Sequence, residues 1–402
     1  MESVSTLLDS IDGVGRDARR GGYSRPVYSA AESELREWFA AEAGRRGLAV
    51  ETDRNGILWA WWDVPGTGRK GSLVTGSHLD SVPGGGAFDG PLGVASALAA
   101  VDLLRGRGVQ PNRSLAVAVF PEEEGSRFGV ACLGSRLLTG TLDADRARSL
   151  TDADGTTFAE ASRAAGLDPA GLGRDEEALG NIGDFLELHV EQGRGLIDLD
   201  SAVAVGSFVL GHGRWRLSVR GQGNHAGTTL MADRADPMVA AAQVVLAVRE
   251  AARRQDGARA TVGRLTPVPG GTNVIASRVD LWLDVRHPDD AVTAAFVETI
   301  HGRAQKAAAF EGCSVILTEE SFSGTVAFDP ALQRGLANSL GGVPSLPTGA
   351  GHDAAVLAGV VPSAMLYVRN PTGVSHSPEE YVEREDADAG AAALADVLED
   401  LL

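Results

Sequence analysis

Residues 72–80, Ser-Leu-Val-Thr-Gly-Ser-His-Leu-Asp, form the stretch on which the prediction of the fold depends. Its apolar part, Leu73 to Ser77, predicts a buried strand, and His78 follows at the end of that strand. An apolar, alanine-rich helix is predicted from Val94 to Leu104, and a second buried strand from Leu115 to Phe120. Strands that alternate with helices predict an α/β fold in which helices cover both faces of the sheet.

The rest of the first half continues this alternation. Glu32 to Arg46 has helical spacing, and Leu48 to Asp63 indicates two strands that turn at Asn55-Gly56. Asp143 to Asp184 is polar and rich in Ala, Gly, Arg and Asp, which indicates short helices and loops on the surface. Phe185 to Val190 then predicts another strand.

The pattern changes from about Gly211 onward. Six elements follow there in the order βαββαβ, at Arg214–Arg220, Pro237–Arg254, Ala260–Pro267, Val279–Arg286, Asp289–Phe310 and Ser314–Glu319. This is the order of a ferredoxin-like α+β sandwich, a compact unit that can be inserted whole into another domain. After Ser321 the α/β pattern resumes with a helix, a strand and a terminal helix, at Ala331–Leu340, Ala364–Val368 and from Asp386. We therefore expect one α/β catalytic domain, residues 1–208 and 322–402, interrupted by an insert of residues 209–321.

The composition is typical of a soluble enzyme. With 402 residues, 44% of them hydrophobic, the chain can bury large cores and is expected to form about two domains. The net charge of −18 argues against nucleic acid or an anionic membrane as a partner. Cys132 and Cys313 are too few for a disulfide framework, and the amino end lacks the features of a signal peptide. No apolar stretch reaches membrane-spanning length, so a cytoplasmic location is expected.

Five potential metal ligands lie in local patterns that suit a two-metal hydrolase site: His78, Asp89, Glu124, His189 and His376. Nitrogen and carboxylate ligands on loops just past the ends of strands are what a catalytic metal centre needs. Taken singly, each has an ordinary explanation as well. A lone histidine is more often a hydrogen-bonded structural residue, and an aspartate in a glycine-dense turn is often a turn residue. Asp80 favours the metal interpretation of His78, because a carboxylate two residues on can fix the imidazole tautomer.

The acidic triplet Glu122-Glu123-Glu124 follows a predicted buried strand by one proline. Three successive acids usually form a solvated face, but α/β sheets place their functional sites at the carboxyl ends of strands. Adjacent carboxylates at such a position can take different roles. One can coordinate a metal, while its neighbour takes a proton from water.

Six ordered motifs span nearly the whole chain: Gly76-Ser-His-Leu-Asp-Ser-Val-Pro83, Gly85-Gly-Ala-Phe-Asp-Gly-Pro-Leu-Gly-Val94, Glu122-Glu-Glu-Gly-Ser-Arg-Phe128, His189-Val-Glu-Gln-Gly193, Asn224-His-Ala-Gly-Thr-Thr229 and Gly351-His-Asp-Ala354. Together they resemble the amidase and hydantoinase/carbamoylase branch of the M20 metallopeptidase-like family. The resemblance implies two divalent metal ions per subunit, zinc first and otherwise manganese, cobalt or nickel. It places His78 and His189 on one metal, Glu124 and His376 on the other, and Asp89 between the two.

The same resemblance assigns further roles. Glu123 matches the general base of the family. Members pair through the inserted domain, which closes over the metal cleft, so a homodimer is expected. His225, Asn273 and Arg286 match positions that hold the carboxylate of the substrate and polarise its scissile carbonyl. Without the family, Arg286 would be interpreted as a solvated charge that ends an edge strand.

Two further residues and two departures from the family bear on the substrate. Gln192 and His352 are additional candidates for substrate contacts. Leu230 stands where relatives commonly have proline, and Ile275–Ser277 lies where they have a turn with Pro-Gly. Both departures fall in the insert, so they bear on the substrate and not on the metal chemistry.

These features predict a metal-dependent amidohydrolase that cleaves the linear C–N bond of an N-carbamoyl (ureido) L-amino acid. The products would be the amino acid, carbon dioxide and ammonia. Allantoate amidohydrolase and β-ureidopropionase are the nearest alternatives. A peptidase or N-acyl deacylase is favoured less, because the third and fourth motifs resemble the carbamoylase side of the family. The alternative that is not an enzyme is a binding protein that kept the fold but lost catalytic activity.

Overall fold

The computed structural model describes residues 2–402, which divide into two compact units. One unit contains the chain up to Phe208 together with Ala327–Leu402, and the other contains Val209–Val326. The second unit ends five residues later than the sequence pattern indicates. Its last long strand runs on to Ser323, because pairing with its neighbour resumes after a register shift between Glu319 and Ser321.

The strands, numbered along the chain, are β1 Ala49–Thr52, β2 Leu58–Trp62, β3 Ser72–His78, β4 Leu115–Phe120, β5 Ile182–Val190, β6 Val203–Val209, β7 Gly211–Arg220, β8 Asn224–His225, β9 Arg259–Val268, β10 Val274–Ile275, β11 Arg278–His287, β12 Ser314–Ser323, β13 Val326–Ala327, β14 Ser345–Thr348 and β15 Ser363–Val368. The α-helices are α1 Val4–Ser10, α2 Ala30–Arg45, α3 Pro91–Gly106, α4 Leu133–Thr139, α5 Ala144–Ser149, α6 Phe158–Ala164, α7 Glu176–Asn181, α8 Gly195–Asp198, α9 Pro237–Ala252, α10 Asp290–Phe310, α11 Pro330–Ser339, α12 Asp353–Leu357 and α13 Arg384–Leu401. None of the helices in residues 2–402 is both long and apolar enough to cross a membrane.

The first unit has the predicted α/β architecture, and its sheet is mixed. Its strands lie in the order β1-β2-β4-β3-β5-β15-β6-β13, and β14 pairs with β6. The central strands β4, β3, β5 and β15 are parallel, whereas β2 runs antiparallel to β1 and β4, and β6 runs antiparallel to β15. Parallel strands bring their carboxyl ends to one edge of the sheet. The residues that follow β3, β4 and β5 therefore share that edge.

Helix α3 packs against the middle of this sheet, and most of its residues are buried. It begins at Pro91, three residues before the predicted start, because proline is accepted in the first turn of a helix. A Cβ atom added at Gly93 would lie 2.3 Å from the main-chain oxygen of Leu188 in β5. Glycine at this position therefore lets the helix lie directly on the strand that carries His189.

The segment from Asp143 to Asp184 contains short helices, as predicted, but it is not only a surface layer. Phe158 and Ala147 are fully buried in a separate apolar cluster with Phe128 and Leu137. A few apolar residues turn inward from an otherwise polar stretch, and such isolated residues give no clear periodic signal.

The second unit has the βαββαβ order, with β7, α9, β9, β11, α10 and β12 as its main elements. Its four long strands form an antiparallel sheet in the order β12-β7-β11-β9, and α9 packs against α10. Alternate residues of β7 and β11 face the helices, including Leu217 and Leu281. The small antiparallel pair of β8 with β10 is an addition that the sequence pattern does not indicate.

Candidate metal centre

His78 is the last residue of β3 and is completely buried. Its Nδ1 lies 3.0 Å from the main-chain oxygen of Asp80, an acceptor that places the ring proton on Nδ1. The lone pair of Nε2 is then free, and Nε2 has no hydrogen-bond partner in the part of the chain that the structure describes. The Asp80 carboxylate, predicted to fix this tautomer, lies 3.6 Å from Nδ1, too far for a hydrogen bond. The main-chain oxygen of the same residue takes that role.

The Asp80 carboxylate instead holds the acidic turn after β4. It accepts hydrogen bonds from the main-chain N–H groups of Glu123 and Glu124, at 3.2 and 3.1 Å. Glu122 is buried in a left-handed conformation, and its Oε1 accepts from the N–H of Phe128 at 2.6 Å. The triplet is therefore an anchored turn and not a solvated face.

His189 in β5 repeats the arrangement of His78. Its Nδ1 lies 2.9 Å from the main-chain oxygen of Val190, and its buried Nε2 has no hydrogen-bond partner within residues 2–402. Both Nε2 atoms face the same oxygen of Asp89, Oδ1, at 3.4 Å from His78 and 3.3 Å from His189.

Asp89 also faces a second group of ligands through its other oxygen. Its Oδ2 lies 3.5 Å from Nε2 of His376, which in turn lies 3.3 Å from Oε2 of Glu124. Two of the three side-chain groups compact enough to hold an ion among the described residues consist of these ligands: His78, Asp89 and His189, and Asp89, Glu124 and His376. The structure thus brings together all five ligands named from the sequence, with Asp89 in both sets.

Glu123 lies beside these sets without belonging to either of them. Its carboxylate is buried, and Oε2 lies 3.6 Å from Nε2 of His78. The Cys132 thiol donates to Oε1 at 3.3 Å. One oxygen of Glu123 is therefore held by the thiol while the other faces the site.

Burial and crowding raise the pKa values of the acids here. Burial raises the pKa of Glu123 well above its ordinary value; His78 opposes the shift, and Asp353 and Glu124 add to it. The pKa of Glu124 rises to about 8 because of burial and the charge of Asp89. Uncompensated carboxylates are costly to bury, so this pocket calls for positive charge.

The histidines show the complementary effect. Burial lowers the pKa of His78, but the surrounding acids, Glu123 first, outweigh burial and raise it well above its ordinary value. Burial likewise disfavours the charged form of Asp89, yet His189 and His78 hold its pKa well below the usual range. In both cases a charge of opposite sign decides the result.

The donor set fits a pair of divalent cations. Two buried imidazole nitrogens with free lone pairs, together with carboxylate oxygens, are donors that zinc and other first-row transition metals accept. Cations at the two sets would also supply the positive charge that the crowded acids lack.

Gln192 and His352 lie next to the ligands. The Gln192 side-chain amide donates to Oδ2 of Asp89 at 2.8 Å and to Oγ of Ser375 at 3.1 Å. The His352 ring is buried 4.5 Å from that of His189, and burial holds its pKa well below the ordinary value. Burial therefore favours the neutral form of this imidazole. Their contact with substrate stays a prediction.

The second unit brings His225 and Asn273 together. His225 pairs with Val274 in the short sheet, and the N–H of Ala226 donates to the main-chain oxygen of Asn273 at 3.0 Å. Arg286 lies near the far end of β11, where its Nε donates to Oδ1 of Asp284 at 2.8 Å. Strand β11 lies between β7 and β9, so the alternative that Arg286 ends an edge strand is wrong.

Three buried acids around the centre escape sequence reasoning. Glu187 lies inside β5, where it accepts hydrogen bonds from Ser77 and from the N–H of Ala354, at 2.9 and 3.0 Å. Asp353 and Glu380 are also buried. Glu187 could have been noticed in the sequence, because it is an acid within the apolar run 185–190. Nothing in the Glu379-Glu380 pair indicates which of its two acids is buried.

Known proteins are similar to this chain in sequence and in fold. The family described as peptidase family M20/M25/M40 matches residues 74–400. An N-carbamoyl-L-amino acid amidohydrolase of Geobacillus stearothermophilus is 37% identical over 382 residues, 93% of this chain and 92% of that protein. An allantoate amidohydrolase of Escherichia coli is 31% identical over 402 residues, 98% of this chain and 96% of that protein. A crystal structure of a hydantoinase/carbamoylase family amidase from Burkholderia multivorans has a TM-score of 0.86 and 30% identity, covering 99% and 96% of the two chains. The family expected from the six motifs is thus confirmed, and the chain belongs to peptidase family M20/M25/M40, a family of hydrolases.

Proposed function

We propose that this protein is a metal-dependent amidohydrolase that cleaves the linear C–N bond of an N-carbamoyl L-amino acid. The reaction type rests on the position of Glu123, a buried carboxylate outside both ligand sets with Oε2 3.6 Å from Nε2 of His78. A base in that place can act on a water held between the sets. The substrate class is supported by the N-carbamoyl-L-amino acid amidohydrolase that matches nearly the whole chain.

Two divalent cations would be held by the two ligand sets, one by His78 and His189, the other by Glu124 and His376, with Asp89 shared. Zinc is the first choice, because it binds imidazole nitrogen and carboxylate oxygen readily; manganese, cobalt and nickel suit the same donors. When bound, such cations act as Lewis acids that lower the pKa of water toward about 7.

Glu123 would accept a proton from the attacking water at Oε2 and return it to the leaving nitrogen of the substrate. The Cys132 thiol, which donates to Oε1, would keep Oε2 directed at the reacting atoms. His225 would stabilise the negative charge that develops on the carbonyl oxygen. Hydrolysis of the carbamoyl group would yield the amino acid, carbon dioxide and ammonia.

Asn273 and Arg286 would hold the carboxylate of the substrate, with Gln192 and His352 as further contacts. The planar guanidinium of an arginine can donate two hydrogen bonds to one carboxylate. In this chain the Arg286 guanidinium already donates to both carboxylate oxygens of Asp284. The remaining parts of the proposal are a homodimer that pairs through the second unit and a cytoplasmic location, the latter supported by two cysteines that form no disulfide.

Allantoate amidohydrolase is a second candidate. It is supported by the allantoate amidohydrolase of Escherichia coli, which matches 98% of this chain. Allantoate also carries ureido groups and a carboxylate, so the same groups of this protein could bind it.

Substrate release assays on the zinc-loaded protein test the proposal. Ammonia and free amino acid would be measured with N-carbamoyl L-amino acids, allantoate and N-carbamoyl-β-alanine as separate substrates. We expect the highest kcat/KM with an N-carbamoyl L-amino acid, with ammonia and amino acid released in equal amounts. Preference for allantoate would establish the second candidate, and release from none of the three would contradict the proposed function.

A further inference from the structure

Glu380 is a buried acid on the loop that follows His376, and it is 4% exposed. Its Oε1 accepts hydrogen bonds from the main-chain N–H groups of Phe88 and Asp89, at 3.1 and 3.0 Å. The fit is tight, because a Cβ atom added at Gly86 would lie 2.2 Å from the same oxygen. The carboxylate of Glu380 therefore closes directly on the turn that carries Asp89.

The other oxygen of Glu380 reaches toward the loop of His376. The Ser375 hydroxyl lies 3.5 Å from Oε2 of Glu380 and 3.4 Å from Oδ2 of Asp89. Next to Glu380, the Tyr381 ring packs edge-on against Phe88 with their centroids 6.0 Å apart. Two segments distant in sequence, each carrying a proposed ligand, are thus joined through Glu380.

The two ligand sets differ in how firmly their own elements hold the ligands, and therefore in how far they depend on Glu380. His78 and His189 lie at strand ends, and each ring is held by a neighbouring main-chain oxygen. His376 lies on a loop, its side chain is 49% exposed, and its φ of 56° is unfavourable for a residue other than glycine. Such a conformation persists only where the surroundings impose it.

We propose that Glu380 is a positioning residue for the second cation: it fixes the Asp89 turn and the His376 loop against each other, so that the set Asp89, Glu124 and His376 depends on it. The set with His78 and His189 depends on it less, because two of its three ligands are fixed by the sheet. The inference rests on the proposed function only in that both sets hold cations.

The structure suggests four variants that separate the roles of the side chain. Glu380→Ala removes the acceptor. Glu380→Asp keeps the charge but is one methylene too short to reach both N–H groups, whereas Glu380→Gln keeps an acceptor oxygen of full length without the charge. Glu379→Gln is the matched control, because Glu379 is the adjacent acid on the same loop and is exposed.

The test titrates zinc into each chelator-stripped protein and measures bound equivalents and both dissociation constants by calorimetry and elemental analysis. We expect two equivalents for the wild type, Glu379→Gln and Glu380→Gln. In Glu380→Ala and Glu380→Asp we expect the second dissociation constant to rise about ten- to hundredfold, with a smaller change in the first. Rescue by glutamine but not by aspartate would show that reach to the two N–H groups, and not charge, is required.

Two results would overturn the inference: unchanged second-site affinity in Glu380→Asp, or equal weakening of both sites. If Glu380→Ala does not fold, Glu380→Asp and Glu380→Gln still show whether the second site depends on Glu380. A wild-type protein that binds fewer than two equivalents would instead contradict the proposed metal centre itself.

Discussion

Arg286, proposed above to bind the carboxylate of the substrate, forms an ion pair with Asp284. Its guanidinium donates two hydrogen bonds to Asp284, at 2.8 and 3.2 Å, and these bonds fix the orientation of the group. On the same strand, Arg278 binds Asp280 at 3.0 Å, which makes it a matched control for Arg286.

We predict that Arg286→Ala raises KM for substrates that carry a carboxylate by about ten- to hundredfold, because a charge-assisted hydrogen bond contributes about 1.5–3 kcal/mol. Uncharged amide analogues should be affected little, and Arg278→Ala should leave both kinds of substrate unchanged. Steady-state kinetics on paired substrates measure this. Equal losses for charged and uncharged substrates would show that Arg286 does not bind the carboxylate.

Some features of the site could be read from single residues and others could not. The five candidate metal ligands were predictable because each lies in a recognisable local motif, and the structure brings all five together. The hydrogen bond between the Asp80 main-chain oxygen and His78 was not predictable, because the identity of a side chain does not indicate which atom of the residue is used. Glu380 was missed for a related reason: its importance arises from contact with a turn almost 300 positions earlier in the chain.

At the scale of one element, the contact of α3 with β5 sets a steric limit. Gly93 has no room for a side chain, because a Cβ atom there would meet the Leu188 oxygen at 2.3 Å. Gly335, in the middle of α11 in the same unit, has nothing within 4 Å of that position.

We predict opposite effects of the same substitution at these two glycines. Gly93→Ala should lower the free energy of unfolding by about 1–3 kcal/mol through overpacking. Gly335→Ala should raise it by about 0.5–1 kcal/mol, since alanine favours the helix. Urea denaturation of the chelator-treated variants measures both, and stabilisation by Gly93→Ala would refute the close contact.

Helix α7 offers a test of pH dependence. Asp175 caps this helix, and its carboxylate accepts from Nε of Arg54 at 2.6 Å. This bond lowers the pKa of Asp175 below its ordinary value of 3.8. A lowered pKa in the folded state means that the charge stabilises the fold above about pH 4, and that the stabilisation is lost as the pH falls through the folded-state pKa.

We therefore predict that Asp175→Asn lowers the melting temperature at pH 7, but that its deficit shrinks as the pH falls below about 4. Asparagine keeps the capping oxygen but removes the charge and the second oxygen, which accepts from Arg54. Asp175→Ala also loses the cap, which costs about 0.5–2 kcal/mol, and its deficit should persist at low pH. Melting curves of chelator-treated protein from pH 3 to 7 check the prediction, and a pH-independent deficit of Asp175→Asn would contradict it.

The elements themselves were predicted well where the hydrophobic pattern is regular. The strands at Leu115–Phe120 and Ala364–Val368 are clear examples. The end of β12 was predicted too early, because a register shift interrupts the alternation that a strand normally shows. The pair β8 with β10 was missed because two-residue strands have no periodicity to detect.

At the scale of the whole molecule, the second unit displays apolar side chains on one helix. On α9, Val239 is 43% exposed and Leu246 is 59% exposed. Exposed aliphatic side chains on a single helix favour association with another apolar surface. They support the proposed homodimer.

We predict a solution mass of twice the 41.7 kDa chain mass in sedimentation equilibrium. Leu246→Glu should shift the protein toward the monomer, because a buried unpaired charge is costly at an interface. Leu199→Glu, at an exposed leucine of the first unit, is the control and should leave the mass unchanged. A wild-type protein of single-chain mass would contradict the dimer.

We propose that Glu123 acts as the base beside a two-cation centre, and Glu123→Gln separates this role from metal binding. Zinc content and the rate of ammonia release from an N-carbamoyl L-amino acid are measured together for the wild type and Glu123→Gln. We predict two zinc equivalents in both proteins and a rate about 10²–10⁴-fold lower in the variant. A Glu123→Gln variant with full zinc content and undiminished turnover would show that Glu123 is not the base.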